Sequence, residues 1–145
     1  MEEKIINGIK YRLDKDTLTA EVVWNDDEYS GNIVIPGTIV SDTVSYIVTS
    51  IGDAAFARCT SLKSLTLPST LDTNNLSNQP FYNNPAMQEL HLMHTTPPSW
   101  CYKTGTSYSY LPTTCKLYVP YVSGWWNSST NRSNWAKYFS IYYDY

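Results

Sequence analysis

Four residues in the second half of the chain are of the types that hold metals or attack carbonyls: His91, His94, Cys101 and Cys115, spaced HxxH-x6-C-x13-C. Zinc takes nitrogen and sulfur ligands that converge on one point. His91 follows an alternating apolar stretch, and on a strand residues three apart face opposite ways, so the two rings cannot share an ion. A Cys–His nucleophile needs a third group to orient the imidazole, and no such group is marked. No catalytic residue, metal or cofactor is therefore expected. The thiols have a simpler use. A Cys101–Cys115 bond would close a loop of about 15 residues, worth about 3 kcal/mol, and would suit an oxidising compartment. Cys59 sits among apolar residues and reads as a small core side chain.

The other chemistry on offer is contact. The chain carries 13 Tyr and 5 Trp. Such rings combine a large apolar body with a polar tip and suit binding surfaces, although strand-rich chains are aromatic in any case. Trp100 and Trp126 are the candidates for stacking on a sugar ring or packing on a protein partner. Trp125 and Trp135 read instead as seals over an open end of the fold. Net charge is −3, which points away from nucleic acid and from anionic membranes.

What must position these groups is visible from Ile47 to Thr70, IVTSIGDAAFARCTSLKSLTLPST. The inward set there reads Ile47, Ile51, Ala55, Phe56, Cys59, Leu62, Leu65 and Leu67, on a strand, a turn of helix over Ala54–Arg58 and a second strand. Asp53 is placed to cap that helix, and Gly52 to allow the sharp entry. Much of this set recurs at one constant offset: Ile51 as Leu76, Phe56 as Phe81, Leu62 as Met87, Leu65 as Leu90 and Leu67 as Leu92. Asp53 becomes Asn78, and Cys59 becomes the polar Asn84. Leu117-Tyr118-Val119-Pro120 repeats Leu65-Thr66-Leu67-Pro68 at a slightly wider spacing from Leu90. Ile33-Val34-Ile35-Pro36 has the same form, at a wider spacing again before Leu65. A unit this small cannot bury its apolar side alone, so copies must stack, and a period of about 20–29 residues with an LxL strand marks a leucine-rich solenoid.

The residue between the two apolar positions of each LxL strand faces away from the core. One outward row is then Val34, Thr66, His91 and Tyr118, and a second is Asn32, Ser64, Glu89 and Lys116. Glu89 and Lys116 become cross-strand neighbours, worth about 0.2–1 kcal/mol. Thr66, Glu89, His91, Lys116 and Tyr118, with Trp100 and Trp126, are the expected partner-binding residues.

Around the repeats, Ile9, Tyr11 and Leu13 alternate with polar residues, as do Leu18, Ala20, Val22 and Trp24, which reads as a hairpin. Asn25–Gly31 is a polar loop, and Pro36 ends the strand before it. Thr38–Val40 and Val44–Val48 form a second hairpin around Ser41-Asp42-Thr43. The segment 93–115 is an insertion, opened by Pro97-Pro98. Trp135, Tyr138 and Ile141 fall on one face of a short helix that closes the end.

The run VTSIGDAAFARCTSLKSLTLP resembles the BspA-like leucine-rich repeat family of bacterial surface proteins, whose pattern reads roughly VTsIGxxAFxxCxxLxxvxiP. LYVP followed by Trp135, Tyr138 and Ile141 is similar to that family's Trp-x-x-Phe-x-x-Ile ending, and Ile9 to Pro36 to its lead-in. The resemblance implies a secreted or surface-anchored adhesive protein and brings no catalytic residues. The chain departs from the pattern in its few repeats, in Pro80 and Pro85 of the second copy, and in the Cys-bearing insertion. In a bacterial protein the sequons at Asn75, Asn127 and Asn131 are accidental.

The expected fold is one mainly β domain with short helical turns, a short right-handed leucine-rich solenoid. Residues 1–46 form an N-terminal β-hairpin cap, 47–120 the repeats, and 121–145 a Trp-containing cap. The structural core is Ile51, Phe56, Cys59, Leu62, Leu65, Leu67, Leu76, Phe81, Met87, Leu90, Leu92, Leu117 and Val119. The expected role is non-catalytic binding of a protein, or a glycan, on a host or neighbouring cell, with a carbohydrate-binding module and a structural spacer as alternatives. MEEKIING has no apolar leader core and no stretch is apolar enough to span a membrane. An extracellular site would therefore need a leader or anchor outside this sequence.

Overall fold

The computed structural model describes residues 1–71, 81, 84–93 and 115–119, and the backbone of 140–143. Among the described residues, ten strands form two five-stranded sheets. The first holds β1 (Glu2–Ile6), β2 (Ile9–Asp14), β3 (Thr19–Val22), β6 (Val44–Ile51) and β5 (Thr38–Ser41), in that spatial order. Both predicted hairpins are present, β2–β3 and β5–β6, and β3 and β6 join them by parallel pairing. β1 adds an unanticipated edge strand. Asn7 and Gly8 turn into β2 with φ of 51° and 82°, the left-handed pair that matches the twist of a hairpin.

The second sheet runs β4 (Gly31–Val34), β7 (Leu62–Leu67), β8 (Glu89–Leu92), β9 (Lys116–Val119) and β10 (Ser140–Tyr143). All four pairings are parallel, and β5 and β6 intervene in the chain only between β4 and β7. Ile33, Leu65, Leu90 and Leu117 stand in one register line. β4 thus belongs to the repeat sheet although it falls within residues 1–46, and residue 46 lies inside β6.

The closing bond of the first turn recurs in the second copy. Leu62 N donates to Cys59 O at 3.1 Å, and at the matching place in the next copy Met87 N donates to Asn84 O at 3.2 Å. Between the turns runs an aromatic column. Tyr29 and Phe56 lie 5.1 Å apart, and Phe56 stacks on Phe81 at 6.2 Å. Asn84, at the Cys59 position, uses its polarity. Its Nδ2 donates to Phe56 O at 2.9 Å and to Phe81 O at 2.7 Å, tying adjacent copies together, while its buried Oδ1 has no partner.

Of the core residues named from the sequence, Ile51, Phe56, Cys59, Leu62, Leu65, Leu67, Phe81, Met87, Leu90, Leu92, Leu117 and Val119 are all buried. Leu76 lies outside the described residues. They share one cluster with the inner face of the first sheet.

Several expectations need correction. The described residues contain no helix. Over Ala54–Arg58 the chain makes turns, because Ala54 and Arg58 have φ of 53° and 57°, whereas a helix needs an unbroken run of negative φ. Asp53 therefore has no helix to cap. Gly52 is needed for space, not for a left-handed φ: a Cβ there would sit 3.1 Å from Glu21 Oε1 and 3.2 Å from Val22 O. Ile47 is half exposed, at 50%. Tyr46 and Val48 take the inward positions of β6, and a register shift opposite Ala20/Glu21 changes the parity before Ile51. Leu18 and Trp24 are 47% and 48% exposed. Leu18 belongs to a turn with φ 56°, and Val23, whose N donates to Lys10 O at 3.0 Å, is buried in Trp24's stead. Ile141 is in a strand, β10, paired with Leu117, and not on a helix. Trp135 and Tyr138 lie outside the described residues. The loop 25–31 hides a core residue: buried Tyr29 accepts from Lys10 N at 3.0 Å and donates to Val23 O at 2.8 Å.

Two stability measurements follow from this packing. Phe56→Ala should lower the unfolding free energy by about 3–5 kcal/mol in urea titration. A change below about 1 kcal/mol would mean the column carries little of the fold. Asn84→Ala strands two buried carbonyls and should cost about 1–3 kcal/mol. Asn84→Asp should cost more at neutral pH, since it sets a carboxylate against two carbonyl oxygens.

Candidate binding surface

Parallel register places the outward residues in two straight rows. Asn32, Ser64, Glu89 and Lys116 form one; Val34, Thr66, His91 and Tyr118 form the other. By backbone register β10 sets Ser140 opposite Lys116 and Tyr142 opposite Tyr118. The rows hold the residues that the sequence spacing implies, since each LxL strand fixes which side chain can point outward.

Contacts hold these side chains in place. Ser64 Oγ donates to Asn32 Oδ1 at 3.0 Å. Glu89 and His91 lie two apart on one face of β8, and Glu89 Oε2 is 3.0 Å from His91 Nε2. The His91 ring stacks on Tyr118 with centroids 4.5 Å apart and planes 8° from parallel. Glu89 and Lys116 are register partners, yet the Glu89 carboxylate is turned toward His91. An imidazole held between a carboxylate and a phenol ring is a rigid, amphipathic tile. It offers a flat aromatic surface with polar edges, and the groups beside it supply donors and acceptors.

Cys115 precedes β9 and is a free, buried thiol, in place of the expected half of a Cys101–Cys115 bond. Its side chain fills the interior at the strand entry. Burial first, and the Glu89 charge second, push the thiol up to about 12. Cys101, His94, Trp100, Trp125 and Trp126 lie outside the described residues, as do the three sequon asparagines.

The sequence profile described as BspA type Leucine rich repeat region (6 copies) matches residues 38–117. The chain belongs to this BspA type leucine-rich repeat family. Families of this kind are in general binding modules and not enzymes. No curated protein matches the chain. Solved structures share the fold. A leucine rich cell surface protein from Faecalibacterium prausnitzii A2-165 aligns at TM-score 0.54 and 19% identity, over 82% of this chain and 26% of its own length. A leucine-rich repeat protein from Bacteroides ovatus ATCC 8483 gives 0.52 and 20%, over 80% and 31%. One from Bacteroides capillosus ATCC 29799 gives 0.53 and 17%, over 82% and 99%. The BspA type chain thus spans about a quarter to a third of the first two. Trp24 and the charged face of the first sheet are what sequence reading missed. The signal was the apolar run Val22-Val23-Trp24, which breaks the strand alternation, so that Val22 and Val23 are both buried and Trp24 is not.

Cys115 should resist iodoacetamide at pH 8 in the folded protein, because its thiol stays protonated and covered. It should label fully in denaturant without reductant, as read by peptide mass mapping. Label that appears in denaturant only after reduction would show a disulfide.

Proposed function

We propose that this chain is a non-catalytic recognition module of a secreted or cell-surface protein, and that it engages a protein partner through the outward face of its parallel sheet. The observation that carries the reading is the Glu89–His91–Tyr118 cluster. Rigid aromatic anchors lose little entropy on binding and dominate interface energetics, and here the ring is already held on both sides. Thr66 and Lys116 flank it at strand spacing and supply polar contacts.

In the same reading the parallel sheet is one wall of a short right-handed solenoid. The first sheet covers one end and residues 121–145 the other, all within a single domain. An extracellular location is supported by the family and by the surface protein from Faecalibacterium prausnitzii. A host or neighbouring cell supplies the partner, and adhesion is the outcome.

The test is an array of host extracellular-matrix and cell-surface proteins probed with wild type and with a triple variant, Thr66→Ala, His91→Ala and Tyr118→Ala. All three residues lie on the outward face, so the melting temperature should change little. Loss of the wild-type signal in the folded triple variant is expected. Equal capture by the two proteins would remove the sheet face from consideration.

A further inference from the structure

The outward face of the first sheet carries a second feature, independent of the parallel sheet. A groove of about 490 Å3 lies there, lined by Glu3, Lys10, Arg12, Glu21, Trp24 and Asp53 among others. That volume is in the range of small-ligand sites. Its floor is one continuous chain of polar contacts. Lys10 Nζ lies 3.3 Å from Glu3 Oε2, and Arg12 Nη2 lies 3.5 Å from Glu3 Oε1. Arg12 Nη1 donates to Glu21 Oε1 at 3.1 Å, and Ser50 Oγ donates to Glu21 Oε2 at 3.3 Å. Glu3 and Glu21 each use both oxygens, so donors and acceptors alternate along the floor. Gly52 contributes by lacking a side chain: its Cβ would meet Glu21 at 3.1 Å on the groove floor.

Beside this floor stands Trp24, 48% exposed, at the point where the strand alternation fails. Val23 has taken the buried place, so the indole is turned out against the groove. A solvent-facing indole beside an ordered polar floor has a restricted set of partners. The lining holds two cations, Lys10 and Arg12, and three carboxylates, Glu3, Glu21 and Asp53. A phosphate or sulfate would meet a surplus of negative charge. A metal ion or a basic peptide would have to break the Lys10 and Arg12 pairs. A neutral polyhydroxylated ring needs neither: its hydroxyls accept from the cations and donate to the carboxylates, and its C–H face packs on the indole.

We propose that the Trp24 groove binds a neutral saccharide. Trp24 supplies the stacking platform, and Arg12 and Glu21 read the hydroxyls. The site shares no residue with the parallel-sheet face, so it stands or falls separately.

The test is calorimetric titration of the whole chain with neutral cello-, manno-, xylo- and chito-hexaoses and with a sulfated heparin hexasaccharide. Wild type should bind at least one neutral hexaose, and the sulfated sugar more weakly. Trp24→Ala should weaken binding by about tenfold or more, as for an aromatic anchor. Trp126→Ala and the Thr66/His91/Tyr118 triple variant should bind as wild type does. Arg12→Gln gives the same readout should Trp24→Ala melt early. The proposal is overturned by no binding of any neutral hexaose, by tighter binding of the sulfated sugar, or by binding that Trp24→Ala and Arg12→Gln leave intact.

Discussion

A short parallel strand holds only while a neighbour of matching parity lies beside it, and that requirement governs this protein. In the second sheet β8, β9 and the Ser64–Leu67 part of β7 offer apolar side chains inward and polar ones outward in alternation. Moving any strand by one residue would turn Leu90 or Leu117 to solvent and bring His91 or Tyr118 into the core. The inward line Ile33, Leu65, Leu90 and Leu117 and the outward line Val34, Thr66, His91 and Tyr118 are therefore two consequences of one register. Packing chooses the first, and the second comes with it.

The turns that link the strands solve a different problem. Between β6 and β7 the chain must reverse from Ile51 to Leu62 while covering its own apolar ring. It does so with left-handed residues at Ala54 and Arg58, and with Phe56 stacked between Tyr29 and Phe81. Buried turns expose backbone carbonyls to the interior, and those need donors. Asn84 supplies two such bonds from one side chain. Its orphaned Oδ1 is the cost of placing an amide where the first copy has a thiol.

The two sheets divide the polar surface between two kinds of chemistry. The parallel sheet carries an ordered row with an aromatic tile at its centre. The first sheet carries an ion-paired floor, where Lys10 first and then Arg12 lower Glu3 from its ordinary value. Exposed pairs of this sort contribute little to stability. They set donors and acceptors side by side along the groove that Trp24 borders.

Periodicity made much of this legible in advance. Leu65, Leu90 and Leu117 set the strands, and the alternation within each LxL unit set the outward rows, because strand parity is a local property. Asn7-Gly8 is an equally local turn signal and marks β1, although apolar alternation alone passes over it. What the chain's pattern did not decide depends on contacts between segments. The bulge opposite Ala20 and Glu21 turned Ile47 outward. The competition between Val23 and Trp24 for one buried place was settled by the Lys10 carbonyl and by Tyr29, which arrives from the next loop. Cys115 is a free thiol because the strand it precedes draws it into the core. Ile141 is in a strand because β9 offers an edge for it to pair with. In each case local preference was balanced, and a partner distant in sequence tipped it.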